Sequence, residues 1–166
     1  VTSEFSTAHE VTSLTSMLQG VLDRVVDVYE SVNVYLPERR YWTLASTPAD
    51  CEQVVVIFLQ AYLGPPGDQA TKPQRCDGPM TASIQVQITR CIPTISAKGR
   101  PPTLEQIQAG AEPLVIDAYM LLRAAGDLEQ WDQNEGFGLG VIATVDAGEP
   151  QGGFQAVTMN ISMAIP

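Results

Sequence analysis

From Val157 to Ile165 the chain alternates without a break: Val157, Met159, Ile161, Met163 and Ile165 are apolar, and Thr158, Asn160, Ser162 and Ala164 are small or polar. A period of two is that of a strand with one face in a core. Any fold adopted here must cover one side of this strand and leave the other without charge, because no charged residue occurs from Gln151 to Pro166. The second demand is the stricter one. Exposed strands usually carry Lys or Glu, for solubility and to discourage stray pairing. Met80–Cys91 repeats the pattern, with Ala82, Ile84, Val86 and Ile88 on one face and Ser83, Gln85, Gln87 and Thr89 on the other. The whole chain follows suit: 45% of it is hydrophobic and only 17% charged, against about 25% charged in an ordinary globular chain. Part of the surface is therefore expected to be covered by copies or partners.

The apolar faces need a covering layer, and two amphipathic stretches supply it. Thr7-Ala-His-Glu10 has the form of a capping box. Behind it Val11, Leu14, Leu18, Val21, Leu22, Val25, Val28 and Val32 form a helical stripe that should end near Ser31. Thr103-Leu-Glu-Gln106 opens a second helix, with Leu104, Ile107, Ala111, Leu114, Ala118, Leu121, Leu122 and Ala125 as its stripe and an end near Gly126. Pro113 removes one backbone bond inside it, so a kink is expected there. "VVVIFLQAYL" within Cys51 to Leu63 is short and β-branched and reads as a central strand buried on both faces. Val34 to Pro48 is broken by Pro37 and Pro48 and reads as an extended connection with a short strand at Tyr41 to Leu44; Tyr41 and Trp42 read as core rather than as partner contacts. Gly138 to Ala147 and Phe154 to Ile165 are joined by a glycine-rich hairpin signal, and Trp131 falls in the short segment before them.

This order predicts a single α+β domain over 1–166: a mainly antiparallel sheet of about four strands, with two helices packed on one face. A core containing Leu18, Val25, Val56, Phe58, Ile84, Val86, Leu114, Leu121, Val141 and Ile161 follows from the stripes. Gly64 to Pro79 has no periodicity and reads as one long loop, a kind that is usually functional or ordered only on binding; Lys72 and Arg75 within it are candidate partner contacts. The uncharged strand faces leave two readings open on the pattern alone. They are either an ordinary wet face or a surface for packing on another copy, where unpaired charge would be costly. In the second reading Gln85, Gln87, Thr89, Thr158, Asn160 and Ser162 are the contact residues.

Chemistry is sparse. His9 is the sole histidine and reads as a surface residue, with no nucleophile elbow elsewhere to serve. "GFGLG" at Gly136 to Gly140 leads into a strand, whereas a phosphate cradle needs a helix to follow. No catalytic, cofactor or metal site is expected. Cys51, Cys76 and Cys91 have no metal-ligand spacing and read as reduced, buried thiols rather than a disulfide. A net charge of −10 argues against nucleic-acid affinity, although an acidic wall would let DNA pass without sticking. The adjacent Arg39 and Arg40 read as solvated or paired. No leader pattern opens the chain and no apolar run approaches a membrane span, so synthesis inside the cell is expected.

Taken in order, the N-terminal amphipathic helix, "CEQVVVIFLQAYLGPPG", "RCDGPMTASIQVQITRCIPT", "GRPPTLEQIQAGAEPLVIDAYMLL" and "GGFQAVTMNISMAIP" resemble the tail terminator proteins of long-tailed phages of actinobacteria, relatives of the lambda-type terminator. The likeness runs from about Val11 to the C-terminus and rests on organisation. It implies a tail-tube-like fold and a homo-oligomer, a hexameric ring in that family. It also implies a structural virion protein, not an enzyme, assembled in the host cytoplasm and placed at the head–tail junction. The tail tube protein and the head–tail connector or stopper would be its partners, with DNA passing through the lumen unbound. Another neck component, and a small α+β enzyme or ligand-binding domain, are the alternatives.

Overall fold

A computed structural model describes residues 7–45, 50–67, 79–135, 138 and 140–165, with side chains from residue 14 onward except that of Glu135. The elements run α1 (Thr7–Ser31), β1 (Arg39–Thr43), β2 (Gln53–Leu63), β3 (Met80–Cys91), α2 (Leu104–Glu135), β4 (Ile142–Ala147) and β5 (Phe154–Ala164). The strands form one sheet of five, in the order β1-β2-β3-β5-β4. β1 pairs with β2 in parallel and every other pair is antiparallel. The fold is α+β, and the fifth strand is β1, which falls where a short strand was expected near Tyr41 to Leu44. α1 lies over β1 and β2, α2 over β3, β4 and β5, and the helices touch each other.

The hydrophobic patterns become one core. Leu18, Val21, Val25 and Val28 of α1, and Leu114, Leu121, Ala124 and Leu128 of α2, meet Val54, Val56, Ile84, Val86, Ile88, Val157, Met159 and Ile161 of the sheet. Phe58 and Val141, expected inside, are only partly buried against it. β2 is buried on both faces from Gln53 to Ile57 and then emerges. Thr43 of β1 pairs with Ile57, and past that point β2 has no neighbour on this side; the ladder with β3 is also irregular between Phe58 and Gln60.

The termini of the elements follow local chemistry. α1 ends at Ser31 and the chain turns away at Asn33, which takes φ 54°. The amide of Asn33 donates to the Glu30 carbonyl at 3.1 Å and that of Val34 to the Tyr29 carbonyl at 3.1 Å, the paired bonds of a Schellman ending. At α2 the Thr103 amide donates to Gln106 Oε1 (2.9 Å), and the Gln106 amide to Thr103 Oγ1 (3.3 Å), so the capping box forms. Gly152 and Gly153 both have positive φ, as a tight hairpin turn between Gln151 and Phe154 requires.

α2 does not end near Gly126 but continues to Glu135. The stripe carries on beyond the glycine: Leu128 is in the core cluster, Trp131 packs against it, and the Trp131 ring lies beside Gly20 of α1. Helix–helix packing there outweighs the helix propensity lost at one glycine, about 1 kcal/mol.

Cys51 and Cys91 form a disulfide, with Cα atoms 4.9 Å apart, where reduced buried thiols were expected. The cause is register. Gln53 faces Thr89 in the β2–β3 ladder, and continuing the ladder brings Cys51 opposite Cys91.

Candidate assembly surface and a buried ionic cluster

The face of the sheet away from the helices collects the polar strand residues. One cross-strand row is Thr144, Asn160, Gln85 and Ile57; the next is Asp146, Thr158, Gln87 and Val55; a third is Ile142, Ser162, Ser83 and Gln60. Strand alternation thus brings Gln85, Gln87, Thr158, Asn160 and Ser162 together. All five are half-buried. Thr89 shares the face but is fully buried, so it is not available to a partner. Lys72, Arg75 and Cys76 lie outside the described residues, as does most of the 64–79 loop.

The polar groups of this face are largely satisfied by one another. Gln85 Nε2 donates to Asn160 Oδ1 at 3.0 Å, and Gln87 Nε2 to Thr89 Oγ1 at 3.3 Å. The Ser83 and Ser162 hydroxyls are 3.4 Å apart, and the Tyr62 hydroxyl reaches Ser162 at 3.5 Å while accepting from the Gly67 amide at 3.3 Å. Tyr41 donates to Gln53 Oε1 at 3.2 Å. Tyr41 is therefore on the open face, while Trp42, one residue on, packs on the core. The ionisable groups among these rows are at the margins, Asp146 on β4 and Arg39 on β1; Arg39 is paired with Asp50 at 2.8 Å. Such a patch loses less when water is removed than one of free amides, because several of its donors and acceptors already have partners.

A second feature lies between the sheet and the helices. Arg90, at the end of β3, donates from Nε and Nη2 to the two oxygens of Asp117 of α2, both at 2.8 Å. Nη1 reaches Glu52 at 3.1 Å and Nη2 the Tyr35 carbonyl at 3.1 Å. The Tyr29 hydroxyl of α1 donates to Asp117 Oδ1 at 2.8 Å. Glu52, held at φ 54°, also accepts from the Cys91 amide at 3.4 Å. Asp117 has no exposed surface and Tyr29 none. Burial by itself would depress the Arg90 guanidinium, but the hydrogen bonds and charge of Asp117, then those of Glu52, raise its pKa above the ordinary arginine value. Burial first, and the Asp117 carboxylate second, push the Tyr29 phenol well above its usual range. Tyr29 stays a neutral donor and Arg90 a fixed cation, so the cluster ties three elements together.

Sequence reasoning missed this cluster, yet a signal was present. Arg90 continues the alternation of Ala82, Ile84, Val86 and Ile88, and Asp117 falls between Leu114 and Leu121 on the apolar stripe. One charge of each sign sits in phase with a buried face.

Two grooves open nearby. One of about 1040 Å³ runs past Pro93, Lys98, Arg100, Thr103 and Gly110. One of about 520 Å³ lies over Tyr35, Glu52, Arg90 and Pro113. Neither lining brings a nucleophile to a base, and among the described residues no group of three or more His, Cys, Asp or Glu is placed to hold a metal ion. Also among the described residues, no helix is long and apolar enough to cross a membrane. No protein-family model matches the chain, and no curated protein matches it in sequence.

Proposed function

We propose that this chain is a structural subunit that assembles with copies of itself through the open face of its sheet. In the setting its sequence resembles, the assembly is a ring, six-membered in that family, that caps a phage tail tube, ends its growth and joins the tail to the head connector. The observation that carries this reading is the open face itself. It is a nearly uncharged surface, half-buried along β3 and β5 and closed over at Val55 and Ile57 of β2, several of whose polar groups pair internally, on a chain of net charge −10. Copies so charged repel one another least when they meet through a surface without charge. The acidic balance also suits a channel that lets DNA slide without adhering. The cross-strand disulfide fits a particle that leaves the reducing cytoplasm, since such bonds persist outside the cell.

Asn160→Lys is the test. Asn160 sits at the middle of the face, bonded to Gln85. Lysine there costs the subunit about 1 kcal/mol for one hydrogen bond. A charge desolvated at every subunit contact costs several kcal/mol each. The expected result is a folded subunit with a near-normal melting temperature that neither forms rings nor stops tube growth. If the variant assembles and terminates tails normally, the open face is not the contact surface. Labelling at the head–tail junction of assembled particles separates the terminator from another neck component.

A further inference from the structure

α2 carries a second apolar stripe that its packing in the fold does not use. Leu104, Ile107, Ala111, Val115, Tyr119 and Leu122 are all exposed, Leu104 at 80% and Val115 at 69%. At 100° per residue the six fall within a sector of about 120°, centred about 120° around the helix from the buried side chains Leu121 and Leu128. No charged residue between Leu104 and Leu122 projects into that sector; the exposed Gln108 lies within it and Glu112 just beyond its edge. The spacing is 3, 4, 4, 4, 3, which reads the same in both directions.

We infer that this stripe is a two-fold contact, in which α2 of one copy pairs antiparallel with α2 of a second copy of this chain. Centred on residue 113, the pairing sets Leu104 of one copy against Leu122 of the other, Ile107 against Tyr119 and Ala111 against Val115. Each apolar residue meets another, and the small Ala111 gives the branched Val115 room. Two charge pairs favour the same register and one opposes it. Glu105 and Arg123 border the stripe on one flank, and antiparallel pairing brings Glu105 of each copy near Arg123 of the other, twice by symmetry; Glu112, exposed on the same flank, meets its own copy once at the centre. Arg123 forms no ion pair within its own chain among the described residues.

Size sets the strength. The stripe is about 27 Å long and about 10 Å wide, roughly a third of the 800 Å² per partner that a standard stable interface buries. The contact is therefore weak between single subunits and gains strength where copies are already gathered. It lies on the opposite side of the sheet from the open face, so it does not depend on the ring reading: subunits would pair into dimers, and rings into stacked pairs of rings.

Sedimentation equilibrium of the full chain over a range of concentrations tests this, with circular dichroism as the check on folding. Wild type should show reversible doubling of mass, of subunit or of ring, below about 1 mM. Val115→Glu should abolish the doubling with helix content and melting unchanged. Glu105→Arg should weaken it severalfold, and Glu105→Arg/Arg123→Glu should restore it. A wild type that never doubles, or a Val115→Glu variant that doubles as before, overturns the contact. Failure of the charge exchange to restore pairing overturns the antiparallel register. Asn160→Lys leaves the doubling intact, so loss of one surface is read separately from loss of the other.

Discussion

Arg90 and Asp117 meet through two hydrogen bonds in a place almost closed to water: the Arg90 side chain is 6% exposed and that of Asp117 0%. Removing Asp117 leaves the buried Arg90 with only Glu52 and the Tyr35 carbonyl as partners, and breaking such a buried pair costs about 3–5 kcal/mol. Asp117→Ala should lower the urea midpoint accordingly. Arg90→Met/Asp117→Leu together should cost less than Asp117→Ala alone, because no charge is then left buried. A double variant as unstable as the single one would mean that packing, not charge, dominates the site. Tyr29 adds a pH dependence. Its folded pKa lies above that of the unfolded chain, so its contribution is complete below the unfolded value of about 10 and is lost as the pH rises beyond it. Between pH 10 and 11 stability should fall by up to about 1.4 kcal/mol per pH unit, and Tyr29→Phe should remove that component of the slope. Both signs of buried charge could be read in the sequence as residues in phase with apolar faces. That they neutralise each other could not, because Arg90 and Asp117 meet only when α2 crosses β3.

At the scale of elements, glycine position separates backbone cost from packing. Gly126 is in the interior of α2 and a Cβ there would meet nothing within 4 Å. Gly126→Ala should raise stability by about 1 kcal/mol. Gly110, on the same helix, packs so closely on the Pro93 ring that a Cβ would lie 2.5 Å from its Cδ. Gly110→Ala should therefore destabilise, despite an identical gain in helix propensity. Thermal melting of the two variants checks both signs, and a stabilised Gly110→Ala would show that the loop from Ile92 yields freely. The helices and strands were legible because their periods differ, 3.6 against 2. The end of α2 was misplaced because propensity marks Gly126 as a stop while the partners of Leu128 and Trp131 lie on other elements. The strand limits of Met80–Cys91 were legible to the residue, since alternation and the flanking prolines agree.

In the whole molecule, the Cys51–Cys91 bond joins residues 40 apart in sequence. Closing a loop of that length removes unfolded-state entropy worth about 4 kcal/mol. Cys91 is exposed and Cys51 half-buried, so a thiol reductant can reach the bond. Reduction should lower the unfolding free energy, read from the guanidinium transition, by up to that amount while leaving the fold intact, and alkylation should then label both cysteines. Equal midpoints with and without reductant would mean that the bond adds nothing to stability. The two contacts proposed above, the polar sheet face and the flank of α2, lie on opposite sides of the sheet.

The sequence by itself determined the local facts: which stretches are helix or strand, which face of each is apolar, that the strand faces lack charge, and that Thr103 and Gln106 would cap a helix. These follow from period and from side chains a few residues apart, and no tertiary information enters them. Only the tertiary structure decided the strand order, the parallel entry of β1, the disulfide, the Arg90–Asp117–Tyr29 cluster, and the hydrogen bond between Gln85 and Asn160, 75 residues apart. Each depends on which elements become neighbours and in what register. That is settled by the total burial of all the faces at once, a sum to which every element contributes and which no single stretch encodes.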